Sequence, residues 1–382
     1  MKILLVTDLY PLKNSSEPQT IRDFALNWKK AGHDVEVIRP NFLLNTIVRK
    51  RKIFPQKIFY DNDIKVYNVN YFTPFWFNVR NKLPKNFQIG DYDIVVSHMP
   101  CGALFAMKVA GRCLAIPYVC SVHASDLKVM TDKFYKLFFA KPLLAAYKRA
   151  DAISARNFTF SEQIKSLSPY AENKTFIAPS GIPRELIEPE EFFEQKVSSD
   201  YEPLVISTVA KLIKRKNVDI IIEALSKTKF QNFVLRIMGD GAEKHYLKHL
   251  AEKYHLEEKV IFEGEIPRDE VLAKLRLSDI FVLVSEAETF GVAYLEAASR
   301  ANIVIATKNG GVDGIIKDGE NGFTCPPDSD KLAELIDRIV SLPKEEIRRI
   351  LFSLRNTLIK YDDAAVSERY LNKAFSIIND NQ

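Results

Sequence analysis

The sequence predicts an α/β protein made of two doubly wound, Rossmann-like domains, and three observations carry that reading. Short continuous apolar runs, such as Ile3 to Val6 and Ile280 to Val284, recur along the chain, and segments with helical spacing follow them. Unbroken rather than alternating apolar runs suit a parallel sheet, whose strands are covered on both faces. The pattern restarts at Leu204 after an acidic stretch, and 382 residues are enough for two ordinary domains with separate cores.

Composition narrows the class. Hydrophobic residues at 47% and charged residues at 27% describe a soluble globular chain. A net charge of +5, spread without a basic stripe that carries a binding motif, argues against nucleic acid as a partner. Cys101, Cys113, Cys120 and Cys325 show no C-x2-C pairing and read as buried thiols of a reducing cytoplasm. The N-terminal apolar run is too short for a signal peptide, and no run of about 18 apolar residues exists to span a bilayer. The expected location is cytoplasmic, with attachment to the inner face of the plasma membrane left open.

In the first domain, Ile3 to Val6 is a strand and a loop from Tyr10 to Pro18 follows it. Ile21, Phe24, Ala25 and Trp28 then mark a helix that Gly32 stops, and Val35, Val37 and Ile38 form the next strand. Residues 43 to 88 are the least regular part. They hold Arg49-Lys50-Arg51-Lys52 among large apolar residues that include Phe54, and an aromatic stretch that includes Trp76. A basic run of this kind is a solvated face or a surface that meets anionic headgroups. Regular structure resumes with a strand ending at His98, a helix near 103 to 110, and a strand from Tyr118 to Val122 followed by His123-Ala124-Ser125-Asp126. His123 ends a strand at the carboxyl edge of the sheet, where open α/β sheets bind ligands. The helix around Phe134 to Arg149 mixes lysines with aromatics and is a second candidate for a membrane-facing surface.

Glu188 to Pro203 is acidic with little periodicity and reads as an interdomain linker. The second domain runs through a helix at 218–225, a strand at 233–238, a helix at 243–254, a strand at 260–262 and a helix at 269–277. It then reaches the Ile280 strand. The next stretch, Ser285-Glu286-Ala287-Glu288-Thr289-Phe290-Gly291-Val292-Ala293-Tyr294-Leu295-Glu296, places Glu288 on a strand-to-helix loop and Glu296 inside a helix ending near Asn302. Helical side chains lean toward the helix N-terminus, so both carboxylates can face one ligand. Between them the first helical N–H groups, near Phe290 to Ala293, suit a diphosphate. Carboxylates for sugar hydroxyls flanking donors for phosphate are what a nucleotide-sugar requires. A bare pair of glutamates is most often surface charge, so the surrounding words matter.

Lys211 and Lys216 follow the first strand of this domain, at the edge where phosphates bind, and offer positive charge to a departing diphosphate. The triplets Asp61-Asn62-Asp63 and Asp91-Tyr92-Asp93 have a metal-binding spacing but read as turn aspartates. Gly239-Asp240-Gly241 lacks the third glycine of a dinucleotide fingerprint, so no nicotinamide cofactor is expected.

Glu-x7-Glu with Phe-Gly after the first Glu resembles the retaining glycosyltransferases of family 4, as do Tyr10-Pro11, Gly32-His33-Asp34-Val35, His123-Ala124-Ser125-Asp126 and Asn309-Gly310-Gly311. The resemblance implies the GT-B fold of two facing Rossmann-like domains, here 1–190 and 203–360, with a C-terminal helix, 361–382, crossing back to the first. It implies that Lys211 and Lys216 hold the diphosphate, Glu288 the donor-sugar hydroxyls and Glu296 the ribose. Thr289, Phe290 and Gly291 would belong to the donor-binding set, Gly239 would pack near the nucleotide, and the backbone at Ile266 would cup the base. His123 would contact the donor sugar, with Ser15, Ser16, His98 and Asp126 on the acceptor side. His123, Lys211, Lys216 and Glu288 are the implied catalytic set. The chain departs from the family at Ser15-Ser16 (usually Gly-Gly), Ala124 and Ala210 (Gly), Lys211 (Arg) and Asn217 (Gly). The implied reaction is metal- and cofactor-independent transfer from a UDP- or GDP-sugar to a saccharide or lipid-linked acceptor, in polysaccharide or glycolipid synthesis. A nucleotide-sugar epimerase and a non-catalytic nucleotide-sugar binder are the alternatives.

Overall fold

A computed structural model describes the chain apart from residues 12–18, 43–56, 72–82, 84–86, 111–115, 199, 287 and 381–382. The chain divides into two compact units, Met1–Ser180 with Asp363–Gln382, and Gly181–Asp362.

The first unit is built on β1 (Lys2–Thr7), α1 (Thr20–Lys30), β2 (Asp34–Phe42), β3 (Ile58–Asp61), β4 (Ile64–Tyr71), β5 (Ile94–His98) and α2 (Met99–Ala110). It continues with β6 (Tyr118–Ser121), α3 (Ala124–Thr131) and α4, which runs through Lys133–Tyr135, a π turn at Lys136–Ala140 and Lys141–Arg149. Then come β7 (Ala152–Ala155), α5 (Phe158–Leu167) and β8 (Thr175–Ile177). The sheet order is β3-β4-β2-β1-β5-β6-β7-β8, parallel throughout except for β3 against β4. Apolar runs such as Ile3 to Val6 are fully buried because helices cover both faces.

The stretch expected to be irregular thus contains a hairpin. Asn62 and Asp63 both take positive φ, 45° and 63°, and form its two-residue turn. Asp61 accepts two hydrogen bonds from Arg22, at 2.6 and 2.8 Å, and one from the Tyr10 hydroxyl at 2.9 Å. Asp93 of the other triplet accepts from the Lys2 N–H at 2.7 Å. Both carboxylates fasten the first sheet.

The second unit begins with α6 (Glu190–Ser198), a helix where a linker was expected. Phe193 and Val197, four residues apart, are buried in this unit's core, and its acids face outward, Glu194 onto Arg348. The acidity had masked the short apolar stripe. There follow β9 (Leu204–Val209), α7 (Val218–Lys227), β10 (Phe233–Met238), α8 (Lys244–Lys253), β11 (Val260–Gly264), α9 (Arg268–Arg276) and β12 (Ile280–Leu283). The unit closes with α10 (Val292–Ser299), β13 (Ile303–Thr307), β14 (Phe323–Cys325), α11 (Ser329–Val340) and α12 (Lys344–Lys360). The sheet order is β11-β10-β9-β12-β13-β14, and every pair is parallel. Numbered from β9, that is the 3-2-1-4-5-6 order, so the strand order reverses between β9 and β12. Ligands of such sheets sit outside the carboxyl ends at that reversal.

The chain enters and leaves this unit side by side, because Ile182 donates to the Tyr361 carbonyl at 3.0 Å and pairs with Asp362 as a parallel bridge. The last helix, α13 (Asp363–Asp380), then packs in the first unit. The Trp28 indole donates to the Ser367 carbonyl at 2.9 Å, and the Tyr370 hydroxyl lies 2.7 Å from Ser121 Oγ and 3.1 Å from Ser154 Oγ. No described helix is long and apolar enough to cross a membrane. Cys101, Cys120 and Cys325 form no disulfide, and Cys101 is only half-buried where a buried thiol was expected.

Candidate functional site

In the second unit, the loops after β9, β10, β12 and β13 converge at the strand-order reversal. The loop after β9 is shaped by glycine. A side chain at Gly239 would meet the Ala210 carbonyl oxygen at 1.9 Å, and one at Gly241 would meet that of Leu212 at 2.2 Å. Both positions let the backbone of residues 210–212 lie directly on the β10 loop, where Leu212 donates to the Asp240 carbonyl at 3.0 Å. Lys211 is left exposed, with no ion pair among the described residues. Lys214–Lys216 then make a 3-10 turn that ends at Asn217 with φ 52°, ψ 39°. This left-handed conformation explains the Asn-for-Gly departure, because asparagine tolerates it. The Asn217 amide also donates to the Val284 carbonyl at 2.9 Å, which ties the turn to the end of β12. Glu286 donates to the Arg215 carbonyl at 2.8 Å and closes the same junction.

That junction brings Lys216 against Glu288 as a half-buried ion pair, with side chains 12% and 13% exposed. Two residues chosen separately from sequence are therefore direct partners. Gly291, at φ 80°, starts α10, and a side chain there would strike both the Tyr294 ring and Glu288. Gly311 brings the loop after β13 to the same place, since a Cβ on it would lie 2.4 Å from the Phe290 carbonyl oxygen and 2.7 Å from Glu288 Cγ. The buried Tyr294 hydroxyl donates to the Leu283 carbonyl at 2.5 Å and fixes the helix to its strand. The Tyr294 N–H donates to the Gly291 carbonyl at 3.0 Å, and the Val292 and Ala293 N–H groups, at the start of α10, have no carbonyl one turn back within the helix. Glu296, one turn further on, is 8% exposed and accepts from Arg268 Nε at 2.6 Å. Arg268, at the start of α9, was not singled out from sequence; nothing in the sequence pairs it with a glutamate 28 positions away. Ile266 is half-buried beside it, after Gly264, whose φ is 75°. Glu263 pairs with Arg236 at 2.7 Å and Lys274 at 3.0 Å and is a strut of this loop.

In the first unit, the carboxyl edge gathers His98, His123, Asp126 and Arg156. His98 is fully buried, stacked at 6.3 Å on Tyr370 and 6.2 Å from Phe24, so it does not face an acceptor as expected. Its Nδ1 lies 3.1 Å from Nε2 of the half-buried His123 and orients that ring. Asp126 is also fully buried, which corrects its expected place on the acceptor side. It accepts from the His123 N–H and from the Tyr147 hydroxyl, both at 2.9 Å, and so fixes the turn that presents His123. Burial pushes its carboxyl up to about 7. Burial, then the charge of Arg156, pushes His123 down to about 3, and His98 falls well below its ordinary value for the same reasons and the neighbouring His123. Both imidazoles are neutral at pH 7. Arg156 is 4% exposed, lies 5.2 Å over the Phe24 ring, and donates to the Ala178 carbonyl at 3.2 Å. Sequence reasoning missed it because a basic residue after a strand is ordinarily solvated. Ser15 and Ser16 lie outside the described residues, as do Arg49 to Lys52.

Two family profiles match the chain. Glycosyltransferase Family 4 matches residues 19–186 and Glycosyl transferases group 1 matches residues 189–357. The N-acetyl-alpha-D-glucosaminyl L-malate synthase of Bacillus anthracis is 23% identical over 330 residues, covering 82% of this chain and 81% of the relative. An uncharacterized glycosyltransferase of Methanocaldococcus jannaschii is 25% identical over 375 residues, covering 89% of each. Among solved structures, HepE of Anabaena in complex with UDP superposes with a TM-score of 0.75 at 17% identity, over 98% of this chain and 100% of that one. The two profiles meet near the boundary between the compact units and leave little of the chain unmatched; the protein has the GT-B fold and belongs to the group 1, family 4 glycosyltransferases.

Proposed function

We propose that the protein is a retaining glycosyltransferase that moves a sugar from a nucleotide-diphosphate donor to a saccharide or lipid-linked saccharide, without a metal ion, at the cytoplasmic face of a membrane. The observation that supports this most directly is the Lys216–Glu288 pair at the N-terminus of α10, on the strand-order reversal of the second sheet. Expelling a nucleoside diphosphate requires fixed positive charge where negative charge develops. Lys211, Lys216 and the first N–H groups of α10 supply it. When a diphosphate takes Lys216, the carboxylate of Glu288 is released to accept from sugar hydroxyls, and Glu296 accepts from the ribose. His123, held neutral, is suited to make a hydrogen bond to a sugar hydroxyl rather than to act as an acid. The retained configuration follows if the departing diphosphate takes the acceptor proton on the same face as the new bond. UDP is the first nucleotide to test, because HepE was crystallised with it.

The test is release of nucleoside diphosphate from a panel of UDP- and GDP-sugars in EDTA. Turnover is expected to persist there, and to be nearly abolished in Lys211→Ala with Lys216→Ala. Complete loss in EDTA, restored by manganese, would overturn the metal-independent mechanism.

A further inference from the structure

The outer face of α4 combines two features that a solvated helix keeps apart. Leu137 is 76% exposed and Phe138 51%, beside Tyr135 at 37%. Around them Lys128, Lys133, Lys136 and Lys141 are all exposed. Between residues 124 and 149 the acids are Asp126 and Asp132. Asp126 is buried, and the half-buried Asp132 accepts from the Tyr135 N–H at 3.2 Å. The face is therefore both apolar and cationic.

Leu137 and Phe138 do not belong to this unit's core. The inward stripe of α4 is already formed by Ala140, Leu143, Ala146 and Tyr147, all buried. The two exposed residues sit in the π turn Lys136–Ala140, an irregularity that recurs at functional sites because it re-aims the side chains it carries. Lys128 Nζ lies 5.2 Å from the centre of the Tyr135 ring, so α3 contributes its lysine to the same face.

We propose that this face docks on an anionic lipid bilayer. Charge complementarity selects that occupant. Lysines attract anionic headgroups, and their long stems let the ammonium groups stay at headgroup level while neighbouring apolar residues enter the acyl boundary. Leu137 and Phe138 are the inserting pair, and Tyr135 suits the interface. The docking does not depend on the transferase reading, although it would place the first unit where a lipid-linked acceptor lies.

The test is co-sedimentation of the full chain with phosphatidylcholine vesicles, with and without phosphatidylglycerol. Binding is expected only with the anionic lipid and is expected to weaken with salt. Each lysine changed to Ser among 128, 133, 136 and 141 should weaken binding about fivefold. Leu137→Ser with Phe138→Ser should remove the part that salt does not reach. Lys248→Ser with Lys253→Ser, exposed in the other unit, should change nothing. Unaltered melting temperatures establish that the variants fold. Vesicle binding that is absent at low salt, or equal in the combined variant, overturns the proposal. So does a concentration-dependent dimer that Leu137→Ser with Phe138→Ser dissolves, since a second copy would then cover the face. Nucleoside diphosphate binding, measured on the same samples, fails separately if the transferase reading is the one at fault.

Discussion

Glu288→Gln should push two related ligands in opposite directions. In the ligand-free chain the Glu288 carboxylate holds Lys216, and the pair is little exposed, at 12% and 13%, so salt screens it weakly. A diphosphate must draw Lys216 away from a carboxylate that also repels it. Glutamine is nearly the same size but removes both the competition and the repulsion. A hydrogen bond to a charged group is worth about 1.5–3 kcal/mol, and the lower end corresponds to about tenfold in affinity. Nucleoside diphosphate binding is therefore expected to tighten by about tenfold. The intact nucleotide-sugar gains the same relief but loses the carboxylate that its hydroxyls would meet, so its affinity should stay level or fall. Isothermal titration of UDP, GDP and their sugar derivatives against both proteins reads the difference. If both ligand types shift by the same factor in the same direction, Glu288 does not contact the sugar and the reasoning fails.

Glu296→Ala should weaken nucleoside diphosphate binding by about 1.5–3 kcal/mol, whereas Arg268→Ala should spare or tighten it by freeing the carboxylate; equal nucleotide binding by wild type and Glu296→Ala would exclude a ribose contact. Asp126 makes stability depend on pH. Its carboxyl is raised from 3.8 to about 7 in the fold, so the folded chain keeps a proton that the unfolded chain releases between those values. This contribution is fully present below about pH 4, falls as pH rises, and is gone above about pH 7, with a limiting slope of about 1.4 kcal/mol per pH unit. Urea melts across that range should show the slope in wild type and a flatter curve in Asp126→Asn; parallel curves would mean that Asp126 does not titrate in this window.

What could be read in advance depended on the scale of the signal. Strands such as Ile280–Leu283 announced themselves because a doubly covered strand must be apolar throughout. The Glu288 and Glu296 loop was legible because a strand-to-helix junction fixes both positions along one short segment. The hairpin at 58–71 had a readable signal, Asn62-Asp63 between alternating residues, but the basic sequence before it and the aromatic sequence after it suggested irregular chain. The linker assignment failed because six acids outweighed the pair Phe193 and Val197. Lys216 against Glu288, Arg268 against Glu296, and His98 beneath His123 depend on loops or strands brought together by the sheet. No local pattern encodes such pairs. The burial of Asp126 was equally hidden, since an aspartate three residues after His123 looks like any helix-start acid until Tyr147 covers it.

The second unit is an insertion in the first, because the chain returns at Asp363 to finish a body begun at Met1. Synthesis therefore completes the two in reverse order. Residues 181–362 leave the ribosome as one continuous stretch and can close their own core. The earlier strands β5, β6 and β7 must meanwhile wait with one face unsealed. Phe24, Trp28 and the hydroxyls of Ser121 and Ser154 all end on Tyr370 and Ser367, which emerge only after residues 181–362. A ribosome stalled after residue 362 would hold one finished unit and one body still open on the face that α13 covers, an exposed apolar surface of the kind chaperones bind. The turns of α13 are thus the closing step of the first unit, made after the second is complete.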